Sequence, residues 1–260
     1  MEIIIQADST EASQTAARII ARTVREKPHA VLGLATGNTP LRLYRNLVRM
    51  HQEDGLDFSG VTCFNLDEYV GIPPAHPSSF HSYMWAHLFS AINVAKERIN
   101  IPDGLTSDIP AACRKYEQAI RSAGGIDIQI LGIGTNGHIG FNEPSSSLSS
   151  RTRIKTLTEE TRLDVAAGFG GQESVPTHVL TMGLGTITDS RMCLLLAFGK
   201  KKARAIAQTV EGPVTAMVPG SVLQMHPRTI LVLDKDAASE LKMADYYAWV
   251  SDHKPDWQKY

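Results

Sequence analysis

The 260-residue chain has little cysteine. Cys63, Cys113 and Cys193 are odd in number, widely spaced and without a CxxC pair, which excludes a disulfide framework and a cysteine zinc cluster and leaves reduced thiols as the expectation. It also lacks a dominant charge: 26 basic against 27 acidic residues give a formal net charge of -1. No general electrostatic attraction to nucleic acid or to an anionic membrane follows from that balance. Long apolar runs are missing as well, and the opening MEIIIQADSTEAS carries no basic segment ahead of its short apolar stretch. Neither a membrane span nor a secretory signal is therefore expected, and the chain is assigned to the cytoplasm with a small-molecule partner. GxxxxGK[ST] does not occur, and the glycines do not match GxGxxG at dinucleotide spacing, which argues against a nicotinamide or nucleoside triphosphate site. Hydrophobic residues make up 43% of the chain, enough to bury a substantial core, and one domain over residues 1–260 is expected.

Short apolar runs alternate with amphipathic stretches. The pattern predicts strands at 2–6, 30–34, 61–66, 126–131, 178–182, 191–198 and 229–233. Helices are predicted from Asp8-Ser9-Thr10 to about Arg25, then at 39–53, 78–90, 108–123, 200–210 and 236–250. Such alternation predicts an α/β fold whose mostly parallel sheet is covered by helices on both faces. Residues 145–150 (SSSLSS) and 168–171 (GFGG) are predicted loops, the second with hinge freedom around Phe169.

Three loops leave apolar runs with chemistry on them. Residues 131–144, LGIGTNGHIGFNEP, combine four glycines with His138 and Glu143, a pairing that can move protons near neutral pH. Thr36-Gly37-Asn38-Thr39 precedes Pro40 and a helical pattern, where free N–H groups at a helix start attract phosphate. Asp67 and Glu68 follow the 61–66 run, and their adjacency sends them in opposite directions in an extended chain, so one faces a crevice and the other a helix or solvent. Gly199-Lys200-Lys201-Lys202 opens a further helix, a position unfavourable to cations unless an anion is bound. Loops of this kind converge at the carboxyl edge of a parallel sheet. The HxxxxH spacing of His76 and His81 is too weak to propose a metal.

FNLDEYVGIP (64–73), LGIGTNGHIGFNEP (131–144), SRTRIKTLT (150–158) and LTMGLGTI (180–187), in this order, resemble the motifs of the glucosamine-6-phosphate deaminase family. The resemblance implies a Rossmann-like α/β fold and conversion of glucosamine 6-phosphate to fructose 6-phosphate and ammonia, without a cofactor. It implies Asp67 as the base acting at carbon 2 and His138 as the ring-opening group supported by Glu143, with Asn136 where some relatives have aspartate. Thr36, Gly37, Asn38, Thr39 and Lys202 would hold the substrate phosphate. Ser146, Ser147, Arg153, Lys155 and Thr156 resemble an allosteric site of hexameric relatives activated by N-acetylglucosamine 6-phosphate. The resemblance thus implies a homo-oligomer, a hexamer in those relatives, although the region of Tyr246 and Tyr247 does not follow their pattern. A second departure is Ala166-Ala167-Gly168-Phe169, where many relatives carry a phosphate-binding arginine, and Arg162 lies earlier. Three alternatives stay open: a galactosamine-6-phosphate deaminase, a 6-phosphogluconolactonase-like hydrolase and a non-catalytic sugar-phosphate sensor.

Overall fold

A computed structural model describes residues 1–260, apart from the side chain of Asp164. Strand β1 (Glu2–Gln6) leads into helix α1 (Ser9–Glu26), whose first turn is capped by Asp8 Oδ1 accepting from the Thr10 and Glu11 amides at 2.7 and 3.0 Å. Ala12, Ala16, Ile19, Ile20 and Val24 recur at helical spacing and are buried, so small and branched side chains seat α1 on the sheet. Strand β2 (Val31–Leu34), helix α2 (Leu41–Asp54) and strand β3 (Thr62–Asn65) follow. Strand β4 (Asp67–Tyr69) and helix α3 (Phe80–His87) come next, then strand β5 (Ile99–Asn100), helix α4 (Ile109–Ser122) and strand β6 (Ile128–Leu131). The second half holds strand β7 (Arg153–Thr156), helix α5 (Glu159–Phe169), strand β8 (His178–Thr181), helix α6 (Leu184–Thr188) and strand β9 (Cys193–Ala197). Helix α7 (Ala203–Glu211), strand β10 (Thr229–Asp234) and helix α8 (Ala244–Asp252) complete it.

Seven strands form a parallel sheet in the order β1-β10-β9-β6-β2-β3-β5. Every residue of β2, β6, β9 and β10 is buried, as strands covered on both faces require. From β2 the chain moves outward through β3 and β5, whereas from β6 it moves the other way through β9 and β10, which stands beside the first strand, β1, at the edge. The switch point thus lies between neighbouring β2 and β6, where a crevice opens beyond the carboxyl ends.

The predicted strand at 178–182 does not join this sheet. β8 is the middle of a separate antiparallel sheet, β4-β8-β7, with Asp67 and Arg153 both opposite Thr181. The run predicted as one strand over 61–66 bends at Leu66, whose amide still bonds Leu34 O on β2 while its carbonyl accepts from Met182 N. Asp67 therefore sits on the seam between the two sheets. The helix predicted over 236–250 begins at Ala244, and the one predicted over 200–210 begins as a 3-10 turn at Lys200–Lys202. No helix is long and apolar enough to cross a membrane among the described residues.

Candidate active site

The loops after β2, β3 and β6 and the turn after β9 enclose a cavity of about 310 Å³. Its lining includes Thr36, Gly37, Asn38, Thr39, Asp67, His138 and Lys202. The structure thus brings together the residues singled out on four separate stretches of sequence. Asn136 and Glu143 stand behind His138. Tyr69, Phe80 and Phe141 also line the cavity, and these rings pack on one another, with Tyr69 and Phe80 centroids 4.6 Å apart. Sequence reasoning did not assign them to the site, and neither did it assign Thr161.

Asp67 is 4% exposed, and its Oδ1 has no hydrogen-bond partner. Burial, and then the neighbouring charge of Glu68, push its carboxyl well above the ordinary carboxylate range. Glu68 points the other way. Its two oxygens accept from the amides of Tyr69, Phe80 and His81 at 2.9–3.0 Å, so it caps the start of α3. Adjacent carboxylates are thereby divided into one facing the cavity and one tied to a helix. Gly140 lies beside the first in a left-handed conformation, with φ of 55°, and a Cβ there would press on Thr181 Oγ1 at 3.1 Å.

A hydrogen-bond chain fixes the imidazole. Thr161 Oγ1 donates to Glu143 Oε1 at 2.6 Å, and Asn136 Nδ2 donates to Glu143 Oε2 at 2.8 Å. A carboxylate only accepts, so it determines which way the Asn136 amide faces. Asn136 Oδ1 is left 2.7 Å from His138 Nδ1, against 3.4 Å from Nδ1 to Glu143 Oε2. The Nδ1 hydrogen therefore donates to the amide oxygen, leaving Nε2 as the proton acceptor of the neutral ring. Burial pushes the Glu143 carboxyl up, but the adjacent His138 imidazole, with the hydrogen bonds from Thr161 and Asn136, outweighs it and holds the group at about 2. Gly134 lies under the ring, where an added Cβ would come within 2.2 Å of His138 Cε1.

Other expectations fare differently. Arg162 is turned from the cavity, donating through Nη2 to the carbonyls of Gln172 and Val175. Ser78 Oγ bonds Gly168 O, and Phe169 stacks on His76 and meets Tyr69 edge-on at 5.1 Å, so residues 168–171 close the end of α5 against the aromatic cluster. The five residues resembling an allosteric site differ in their surroundings. Ser146 is buried, Ser147 and Thr156 are exposed, and Arg153 Nη1 is engaged by Asn142 Oδ1 at 2.9 Å. A groove of about 720 Å³ beside α4 includes Arg153 but not Ser146, Ser147, Lys155 or Thr156. Among the described residues no group of three or more His, Cys, Asp or Glu side chains is placed to hold a metal ion.

The family model for glucosamine-6-phosphate isomerases and 6-phosphogluconolactonases matches residues 6–231. The chain is 53% identical to a glucosamine-6-phosphate deaminase of Arthrobacter sp. (strain FB24), covering 99% of each. It is 51% identical to one of Rhodococcus jostii (strain RHA1) over the whole of both. A solved monomeric glucosamine-6-phosphate deaminase, 47% identical, superposes with a TM-score of 0.90 over 92% of this chain and all of the other. That likeness to a monomeric enzyme corrects the expectation of a homo-oligomer or hexamer. The 6-phosphogluconolactonase of Trypanosoma brucei, at 20% identity and a TM-score of 0.74, shares the fold. By sequence over its whole length and by structure, the chain belongs to the glucosamine-6-phosphate deaminase family.

Proposed function

We propose that the chain converts glucosamine 6-phosphate and water to fructose 6-phosphate and ammonia, with Asp67 and His138 as its catalytic residues. The observation that carries the assignment of roles is the placement of a buried, unpaired carboxylate and an oriented imidazole on one cavity. A lactone hydrolase has no carbon-bound proton to remove and no use for the first of these.

The sugar binds as the pyranose. His138 Nε2 takes the hydroxyl proton at carbon 1 and delivers it to the ring oxygen, opening the ring to the aldehyde. During that transfer the imidazole is cationic, and the Glu143 charge stabilises it through the Asn136 amide and across the 3.4 Å separation. Asp67, in its ionised form, removes the proton at carbon 2, which the carbonyl has acidified. An enolamine results, and returning the proton to carbon 1 gives an imine at carbon 2. Water adds there and ammonia leaves, with the substrate's own carbonyl as the electron sink. A carboxyl held above its usual range is a stronger base when ionised, which suits it to a weak carbon acid.

Thr36, Gly37, Asn38, Thr39 and Lys202 bind the phosphate, so that remote binding energy aligns the reacting carbons. We infer action in the cytoplasm, in keeping with three unpaired, buried thiols. The test is release of ammonia and fructose 6-phosphate by the purified protein, beside an Asp67→Asn variant. Both products from wild type, with a loss of ~10²–10⁴-fold in kcat for the variant, are expected. Substrate binding without product would overturn the reading.

A further inference from the structure

The loop over residues 35–39 supplies most of the polar lining at one end of the cavity, and among the described residues Lys202 is the only lysine or arginine on that lining. Backbone donors must then carry a large share of anion binding. Among the described residues, the amides of Thr36, Gly37, Asn38 and Thr39 meet no protein acceptor. What aims these amides is decided by their carbonyl neighbours, because in a trans peptide C=O and the following N–H point in opposite directions. Two tyrosines take those carbonyls. The hydroxyl of Tyr44, fully buried on α2 beneath the loop, donates to Ala35 O. The hydroxyl of Tyr83, on α3, donates to Gly37 O at 2.5 Å.

We propose that Tyr83, together with Tyr44, is a positioning residue that pins the loop carbonyls away from the cavity, so that the Thr36 and Asn38 amides are set to receive the substrate phosphate. The proposal rests on the reading of residues 36–39 as the phosphate loop and adds the device that preorganises it. Gly37 makes such a device necessary. Its φ of 95° lies where glycine is at ease, and nothing lies within 4 Å of where its Cβ would be, so the peptide after it has room to turn. Turned over, it would present a carbonyl oxygen to the anion. The Tyr83 ring is itself held edge-on by His87, with centroids 4.7 Å apart. Burial raises the Tyr83 hydroxyl above its ordinary value, so it remains a donor across the working pH range.

Tyr83→Phe keeps the ring and removes the donor. The full-length protein and this variant are compared for KM, kcat, inhibition by inorganic phosphate and thermal midpoint. The expected result is a rise of about tenfold in both KM and the phosphate inhibition constant, with kcat within about twofold and the midpoint unchanged, the signature of one lost hydrogen bond in ground-state and transition-state binding alike. Tyr44→Phe is the second variant and is expected to move the same two constants together. Unchanged phosphate inhibition in both variants would overturn the proposal, as would a fall in kcat with phosphate inhibition intact. A wild-type protein indifferent to phosphate would remove the anion loop and the proposal together. Should wild type turn over no glucosamine 6-phosphate, the deaminase reading fails separately, and protection by phosphate against thermal unfolding still decides the role of Tyr83.

Discussion

Two carboxylates at the site titrate in opposite directions, and each leaves its mark on stability. Asp67 binds its proton more tightly folded than unfolded, so its ionisation disfavours the folded state and stability is lost as pH rises from the unfolded value through the raised one. Asp67→Asn is accordingly expected to melt above wild type at pH 7 to 8, a gap that closes toward pH 4 while activity is lost. A gap of constant size across pH would show that desolvated charge is not the cause. Glu143 is the reverse case. Its carboxyl is held at about 2, so its contribution is complete above the unfolded carboxyl range and disappears as pH falls toward 2. Glu143→Gln is expected to lower the melting midpoint at pH 7, with the deficit shrinking in acid. Gly134 offers a test free of ionisation: Gly134→Ala places a Cβ 2.2 Å from the His138 ring, and displacing that ring is expected to cut kcat by about 10²-fold or more. These residues were visible in sequence because chemistry demands particular side chains in glycine-rich company. Asn136 was also singled out, yet the relay of Glu143 through its amide was not, since that depends on which atom of the amide faces which neighbour.

At the scale of elements, the N-terminus of α5 couples a surface helix to the chain of Glu143, Asn136 and His138. Thr158 caps that helix by accepting from the Thr161 amide, and Thr161 then donates to Glu143. Thr161→Val removes that donor while keeping the shape, and a fall in kcat of about tenfold with recovery in Thr161→Ser is expected from one charge-assisted hydrogen bond. Equal kcat in all three proteins would make the contact incidental. α5 and β7 escaped the list of predicted elements for different reasons. The apolar residues of α5 show almost no helical periodicity, because the helix packs on the small aromatic cluster of Tyr69, Phe80, Phe141 and Phe169 instead of on the sheet. β7 is a four-residue edge strand of half-exposed and exposed residues, RIKT, whose pairing is supplied wholly by β8. Capping, by contrast, was legible: Asp8 stands where its chemistry places it, at the start of α1.

Across the whole molecule, the two sheets are joined by buried ionic hubs as well as by apolar packing. Glu117 of α4 is 6% exposed and accepts from Thr152 N and Oγ1 at 2.9 and 2.6 Å, from Thr186 Oγ1 at 2.6 Å and from Arg151 Nη2 at 2.7 Å. It ties the entry to β7 and helix α6 to the parallel sheet's flank. Glu117→Ala leaves the buried Thr152 and Thr186 donors without that acceptor, and a loss of ~2–4 kcal/mol in unfolding free energy by denaturant titration is expected. A change below ~0.5 kcal/mol, the level of an ordinary surface substitution, would show that the hub is not structural. The sequence by itself determined the class of fold, the alternation of most strands and helices, and the residue types able to bind phosphate and move protons. These follow from local periodicity and from side-chain chemistry, which are properties of short stretches. Tertiary structure alone decided that β4 and β8 leave the parallel sheet, that Asp67 and not Glu68 faces the cavity, that Arg162 turns away from it, and that tyrosines from two helices hold the carbonyls of Ala35 and Gly37. Each of those outcomes depends on contacts between residues from 9 to more than 100 positions apart, and packing and desolvation at such contacts are set only when the whole chain has closed on itself.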